Sequence, residues 1–274
     1  MARSTDREAL TGAGQRENYA SEENLLKRQS LQSFTDPSLS SGGLPIDRLE
    51  LTGVEHLLDV GTGNGRWLWR LAPKVAWCVG LDLSMGMLEA VRGHGRNVIS
   101  LMQANAQALP FSDASFDLTC AMHMLYHVDD VLGAIKELHR VLRRSGRALV
   151  TTNSAEATPI GSLCQEAVVA VLGRPVEGVL PSLGFTAENG FDLLSLVFEE
   201  VTPAWHVVGQ RITDPGPVLA MLDSVRGPME MFLETSLDWA RVGEEVTARL
   251  EGIVTEEGAF INRSRSASFL CRKG

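Results

Sequence analysis

Leu57-Leu58-Asp59-Val60-Gly61-Thr62-Gly63-Asn64-Gly65 is the stretch whose reading decides the fold. Leu57 to Val60 is a short apolar run bounded by turn residues, which reads as a buried strand. Three glycines at alternate positions follow, and without a Cβ each lets the backbone approach a ligand closely. A helix is expected over Asn64 to Leu71, and its first amide groups have no intrahelical partner. Strand, glycine turn and helix start together form a place to hold something small and polar.

Outward from that stretch, strands and helices alternate from His56 to about Asn153, the pattern of a parallel sheet covered on both faces. Val75 to Leu81, Val98 to Met102, Phe116 to Met122 and Ala148 to Thr152 read as the next four strands. A helix opens at Ser84, whose hydroxyl can cap it, and carries Met87, Leu88 and Val91 inward. Another runs from Asp129 or Asp130 to Arg143. Arg140, Arg143 and Arg144 suit its negative end, and Gly146 suits a left-handed cap. Beyond residue 153 the rhythm loosens: Gln165 to Leu172 and Ala187 to Leu196 are expected helices, Phe198 to Val208 contains a strand, Pro215 to Glu257 is mostly helical, and Ala259 to Cys271 alternates like a final strand. Upstream, Ser21 is the expected N-cap of a short amphipathic helix carrying Leu25, Leu26, Gln29 and Leu31, preceded by a polar leader up to about residue 18.

Which ligand the glycine turn takes follows from its neighbours. The dinucleotide pattern G-x-G-x-x-G places its third glycine where this chain has Arg66. Asp59, just before the turn, would repel a pyrophosphate but suits a ligand with an ammonium group. Asp82 ends the second strand about 20 residues beyond the glycines, where an acid can bind both hydroxyls of a ribose. Gln103-Ala104-Asn105-Ala106 closes the third strand with an amide able to read an adenine edge.

These residues, with Leu109-Pro110-Phe111-Ser112-Asp113-Ala114-Ser115-Phe116-Asp117, resemble the successive motifs of class I methyltransferases over roughly residues 55 to 153. The resemblance implies an α/β, Rossmann-like, doubly wound fold: a mostly parallel seven-stranded sheet with an antiparallel last strand, an N-terminal helical cover over residues 1–50, and a methyltransferase domain over 51–274. Residues 215–258 are then expected to form a lid or acceptor insertion. S-adenosylmethionine is the implied methyl donor and S-adenosylhomocysteine the product. Asp59, Gly61, Thr62, Gly63 and Gly65 are expected around its methionine part, Asp82 and Leu83 at the ribose, and Asn105 and Ala106 near the adenine. Many family members carry Asp where this chain has Asn105.

Met122-His123-Met124-Leu125-Tyr126-His127-Val128 ends the fourth strand, which in the family lies beside the sulfonium and opens toward substrate. Met122 is expected against the cofactor. A neutral His127, with an ordinary pKa near 6.5, can take a proton from a hydroxyl or amine nucleophile, and is the expected catalytic residue. Its bland alternative is a structural histidine orienting the next helix. Tyr19, with Arg28, stands on the expected cover. Tyr19, His123, Tyr126 and Trp205 are the expected acceptor-binding residues. Met221, Met229 and Trp239 are either pocket lining or ordinary helix core. Trp67 and Trp69, two apart, cannot both face the sheet.

Composition narrows the acceptor. With 25 Lys and Arg against 34 Asp and Glu, the net charge is −9 and the sequence pI about 5.2. No clustered basic run offers the counterion release that nucleic-acid binding needs. Cys78, Cys120, Cys164 and Cys271 lack zinc-module spacing and read as reduced, structural thiols with no metal implied. No apolar run reaches the length of a membrane span, and no signal-peptide core is seen, so a cytoplasmic monomer or homodimer acting on a small molecule is expected. An RNA or protein methyltransferase of the same fold is the nearest alternative. A nicotinamide oxidoreductase is disfavoured by Arg66 and Asp59, and a non-catalytic nucleoside-binding module shares every cofactor motif.

Overall fold

The computed structural model describes residues 19–92, 99–176, 184–233 and 235–274, and the side chains of all of these but 231 and 232. The expected leader up to residue 18 lies outside the described residues. Helix α1 (Glu23–Gln29) and three short 3-10 turns precede β1 (His56–Val60). Then come α2 (Leu68–Leu71), β2 (Trp77–Asp82), α3 (Met85–Arg92), β3 (Ile99–Gln103), β4 (Phe116–Met122), α4 (Val131–Val141) and β5 (Leu142–Asn153). The remainder is α5 (Pro159–Leu172), α6 (Gly190–Ser195), β6 (Glu200–Ile212), α7 (Gly216–Ser224), α8 (Arg226–Leu233), α9 (Trp239–Glu257) and β7 (Phe260–Arg272).

The strands form one sheet of order β3-β2-β1-β4-β5-β7-β6. β1 pairs in parallel with β2 and β4, and β7 runs antiparallel to both of its neighbours. Strand order reverses between β1 and β4, so their C-terminal ends open a crevice there, the usual ligand site of such sheets. Leu57 and Leu58, pointing to opposite faces, are both wholly buried. Each such leucine contributes about 1.5–3 kcal/mol of apolar burial, which fixes β1 as the central strand. A separate core joins α5, α7, α8 and α9 through Leu163, Val168, Leu222, Met229, Val242 and Val246.

Local signals acted largely as expected. Ser84 Oγ accepts from the Met87 amide at 3.2 Å, and Asp130 caps α4 by accepting from the Gly133 amide. The four cysteines are free and buried. Among the described residues no helix is long and apolar enough to cross a membrane, and no cluster of His, Cys, Asp and Glu is arranged to hold a metal.

Three local expectations are corrected. α2 starts at Leu68, not Asn64, because positive φ at Gly63 and Gly65 prolongs the turn. α4 stops at Val141, so Arg143 and Arg144 lie in β5. There the Arg143 guanidinium binds the Asp117 carboxylate at 2.7 Å, and Ser145 rather than Gly146 adopts positive φ. The residue flanking α1 is Glu22, not Ser21; Ser21 Oγ makes only a 3.4 Å contact to the Glu23 amide. Trp67 and Trp69 are both half-buried.

Candidate cofactor and acceptor site

At the crevice the glycine turn folds back on β2. The amides of Gly61 and Thr62 both donate to Leu81 O, at 2.7 and 2.9 Å. Gly61, Gly63 and Gly65 have φ of 68°, 56° and 79°, where a side chain is strained. A Cβ on Gly61 would also come within 2.7 Å of Met124. Thr62 Oγ1 donates to Asp59 Oδ2 at 2.7 Å. The Asp82 carboxylate accepts from the Gly63 amide at 2.8 Å and from the Ser84 amide at 2.9 Å. One acid therefore sets both the turn and the start of α3, and each oxygen keeps a lone pair for another donor.

Asp59 is 1% exposed, and its Oδ1 is buried with no hydrogen-bond partner in the structure. Burial, reinforced by the charge of Asp82, raises its pKa to about 7. A buried, unsatisfied acceptor of this kind is costly unless a ligand completes it. Beside Asp82, Leu83 is 54% and Met102 38% exposed, an apolar platform at the rim. Glycine backbone, an orphaned acid, a second acid and an apolar shelf match the ammonium, ribose and adenine of S-adenosylmethionine. The donor set fits that cofactor.

Asn105 and Ala106 follow β3. Asn105 is exposed and its Oδ1 accepts from the Gln107 amide at 3.0 Å, so that oxygen shapes its own turn and only the Nδ2 side remains for an adenine. Ala106 is buried in the main core. Met122 is buried at the end of β4. His123 comes next with φ 57°, an unusual conformation for a non-glycine residue. Its amide donates to Thr151 O at 3.1 Å and lies 3.0 Å from Thr151 Oγ1. β5 thus anchors the bend that turns the chain toward Tyr126 and His127.

Tyr19, Tyr126 and His127 converge although 107 residues or more separate the first from the others. Tyr19 OH is 3.1 Å from His127 Nε2. The Tyr126 and His127 rings are 4.4 Å apart, and those of Tyr19 and His127 5.1 Å. The Arg28 guanidinium lies 4.8 Å from the Tyr19 ring centre. Burial, then Arg28, pushes His127 down to about 3; burial, then Arg66, pushes His123 down to about 4. Burial also raises Tyr19 and Tyr126 above the ordinary phenol range. All four rings are therefore uncharged at neutral pH, yet His123, Tyr126 and His127 keep accessible surface, as the lining of a deep pocket does. Trp205 stands apart from them, 44% exposed on edge strand β6 with the Arg265 guanidinium 4.5 Å over its ring.

The chain carrying Tyr19 is fastened beside the cofactor crevice. Ser84 Oγ donates to Tyr19 O at 2.7 Å, and a Cβ on Gly86 would sit 1.9 Å from Ala20 O. Asn64 Nδ2 donates to Gln29 Oε1 at 3.3 Å, and Arg28 donates to Ser224 O at 3.4 Å, joining α1 to α7. The sequence gives Gln29 and Met124 no role beyond the helix and strand end they belong to, and does not single out Gly86. A glycine early in a helix was the one available signal, and it does not say what passes over it.

Residues 58–150 match the methyltransferase domain family. An uncharacterized methyltransferase of Bacillus subtilis, YcgJ, is 32% identical over 122 residues, 43% of this chain and 48% of that protein. A demethylmenaquinone methyltransferase of Corynebacterium efficiens is 35% identical over 129 residues, 47% of this chain and 55% of that protein. The chain spans about half the length of the curated relatives it matches. The crystal structure of the Bacillus YcgJ protein superposes with a TM-score of 0.56 at 20% identity, covering 84% of this chain and 97% of that one, which extends the fold likeness well beyond the matched segment. On the glycine turn, its two acids and this domain match, residues 58–150 carry a methyltransferase domain of the class I, S-adenosylmethionine-dependent kind, within a Rossmann-like fold.

Proposed function

We propose that the protein transfers the methyl group of S-adenosylmethionine to a small-molecule acceptor seated against Tyr19, His123, Tyr126 and His127. The observation that carries this reading is the cluster of desolvated, uncharged rings set beside the glycine turn and closed by the Tyr19–His127 contact. Bound S-adenosylmethionine supplies an electrophilic methyl on a positive sulfur. Asp59 and the glycine backbone hold its amino-acid end, Asp82 its ribose, with Leu83, Asn105 and Ala106 around the base and Met122 along the path to the acceptor. Alignment of nucleophile, methyl and sulfur in a dry chamber supplies much of the rate, about 7–11 kcal/mol where the geometry is near-ideal.

His127 is proposed as the catalytic residue. Its neutral Nε2 accepts a hydrogen bond from the acceptor's nucleophile and then its proton, the position that Tyr19 OH fills in this structure. The described part of the expected cover, residues 19–50, and the helices between residues 215 and 258 are proposed to close the chamber, supported by the packing of α1 on α7 through Arg28 and Lys27. Trp205, exposed on edge strand β6 with Arg265 over its ring, is not part of the proposed chamber.

The acceptor atom is proposed to be oxygen or nitrogen. Carbon is the second reading, favoured by relatives named demethylmenaquinone methyltransferase and, in Hahella chejuensis, ubiquinone/menaquinone biosynthesis C-methyltransferase. The net charge of −9 supports a small molecule over RNA. The test is transfer of labelled methyl from S-adenosylmethionine to a panel of phenols, amines, a demethylated quinol and total RNA. Labelled small-molecule product supports the proposal. Label on RNA alone overturns the acceptor class, and tight cofactor binding with no transfer to any of them points to a binding module.

A further inference from the structure

Ser84 stands between the two halves of the site. Its amide donates to Asp82 Oδ1 at 2.9 Å, so the acid expected to hold the ribose fixes where residue 84 lies. Its hydroxyl donates to Tyr19 O at 2.7 Å, a carbonyl 65 residues earlier in the chain. The same Oγ accepts from the Met87 amide at 3.2 Å, capping α3. One hydroxyl spends its single proton on the cover and a lone pair on the helix start.

The cover is pressed against α3 just beyond this tie. A Cβ on Gly86 would come within 1.9 Å of Ala20 O and 3.3 Å of Ser21 Cα. From that fixed backbone the Tyr19 side chain brings its OH to 3.1 Å from His127 Nε2, with the two rings 5.1 Å apart. Burial raises the Tyr19 pKa, Arg28 opposes the rise, and the charge of Asp82 adds to it. The phenol is therefore within reach of the ribose acid's field while it touches the proposed catalytic histidine.

We infer that Ser84 is a positioning residue: it ties the backbone of Tyr19 to the acid that holds the nucleoside, so that filling the ribose site fixes the cover and completes the acceptor chamber. Ribose hydroxyls donating to Asp82 restrain the carboxylate that holds the Ser84 amide. The Ser84 hydroxyl passes that restraint to Tyr19 O, and the phenol passes it to His127. The acceptor meets a preorganised wall only with the nucleoside in place, which orders binding, nucleoside first. The coupling is reciprocal, so the nucleoside is held less well whenever the cover opens. The inference rests on the proposed methyl transfer at this site.

The test needs no identified acceptor. Amide hydrogen exchange of the full chain is followed over residues 20–34, without ligand and saturated with S-adenosylhomocysteine, for the wild type and for Ser84→Ala, Ser84→Asp and Ser84→Thr. Calorimetry establishes saturation, and urea melts report folding. The wild-type cover is expected to exchange about fivefold more slowly with the nucleoside bound. Ser84→Ala removes both tie and cap, and the slowing falls below about twofold. Ser84→Asp still caps α3 but has no proton for Tyr19 O, so it behaves as Ser84→Ala does. Ser84→Thr keeps donor and acceptor and retains most of the slowing. Two results overturn the inference: wild-type cover exchange that ignores the nucleoside, or full slowing in Ser84→Ala or Ser84→Asp. Slowing lost in Ser84→Ala and restored by Ser84→Asp would assign the effect to the helix cap and not to the tie. Failure of S-adenosylhomocysteine to bind the folded wild-type chain overturns the methyltransferase reading itself, a distinct result.

Discussion

The cofactor crevice and the proposed acceptor chamber lie side by side, yet they are built differently. The crevice comes from consecutive residues, Asp59 to Gly65 and Asp82 to Ser84, and much of its binding surface is backbone amide fixed by glycine and carboxylate. The chamber comes from side chains on α1, on the turn before it and on the loop after β4, brought together across more than a hundred residues. A site made of local backbone shows as a motif in sequence. One made of distant side chains exists only once the tertiary fold is formed, and it is the part that can change acceptor without disturbing the sheet.

The largest effect that would sharpen this contrast is at Asp82. Replacing it with Ala removes two charge-assisted hydrogen bonds that set the turn as well as the ribose acceptor, so S-adenosylhomocysteine affinity is expected to fall about 100-fold by calorimetry. An unchanged affinity would break the picture of a crevice organised by one acid. Next is Gly86→Val, whose side chain meets Ala20 O where even a Cβ has no room. The cover must move, and acceptor turnover should drop about 10- to 100-fold through lost positioning, while cofactor affinity changes much less. Equal loss of both would mean that the two regions are one unit.

The same division explains what the sequence disclosed. The seven-stranded sheet, the glycine turn and both acids were legible because periodicity, alternate glycines and strand-end carboxylates are local. The strand β5 starts six residues before the Ala148 that the sequence suggests, because Leu142 to Gly146 carries basic residues that resemble a helix end, while pairing of Phe116 with Leu142 and of Asp117 with Arg143 overrides that preference. Tyr19 and His127 were each noticed for their chemistry, but their contact was not, since nothing in either neighbourhood encodes a partner 108 residues away.

Smaller effects probe the chamber alone. Tyr19→Phe deletes one partly buried hydrogen bond and should lower acceptor kcat/KM about three- to tenfold with cofactor affinity unchanged. A loss confined to kcat would place Tyr19 in the chemistry, and one confined to KM in closure. The last expected effect is on stability rather than turnover. His123 and His127 are pushed down to about 4 and about 3 from 6.5, so between those values and 6.5 the unfolded chain binds more protons than the folded one. Stability should therefore fall as pH drops below 6.5. Urea melts of a His123→Gln, His127→Gln double variant should show a shallower fall over that window, and an unaltered slope would mean that neither ring is desolvated as described.

The most direct measurement is calorimetric titration of the purified full chain with S-adenosylmethionine, S-adenosylhomocysteine and NAD. The expected result is saturable one-site binding of both sulfur nucleosides and none of NAD, because Asp59 suits an ammonium and not a pyrophosphate, and Arg66 stands where the dinucleotide turn needs its third glycine. NAD binding alone, or no nucleoside bound by demonstrably folded protein, would contradict the assignment of the glycine turn.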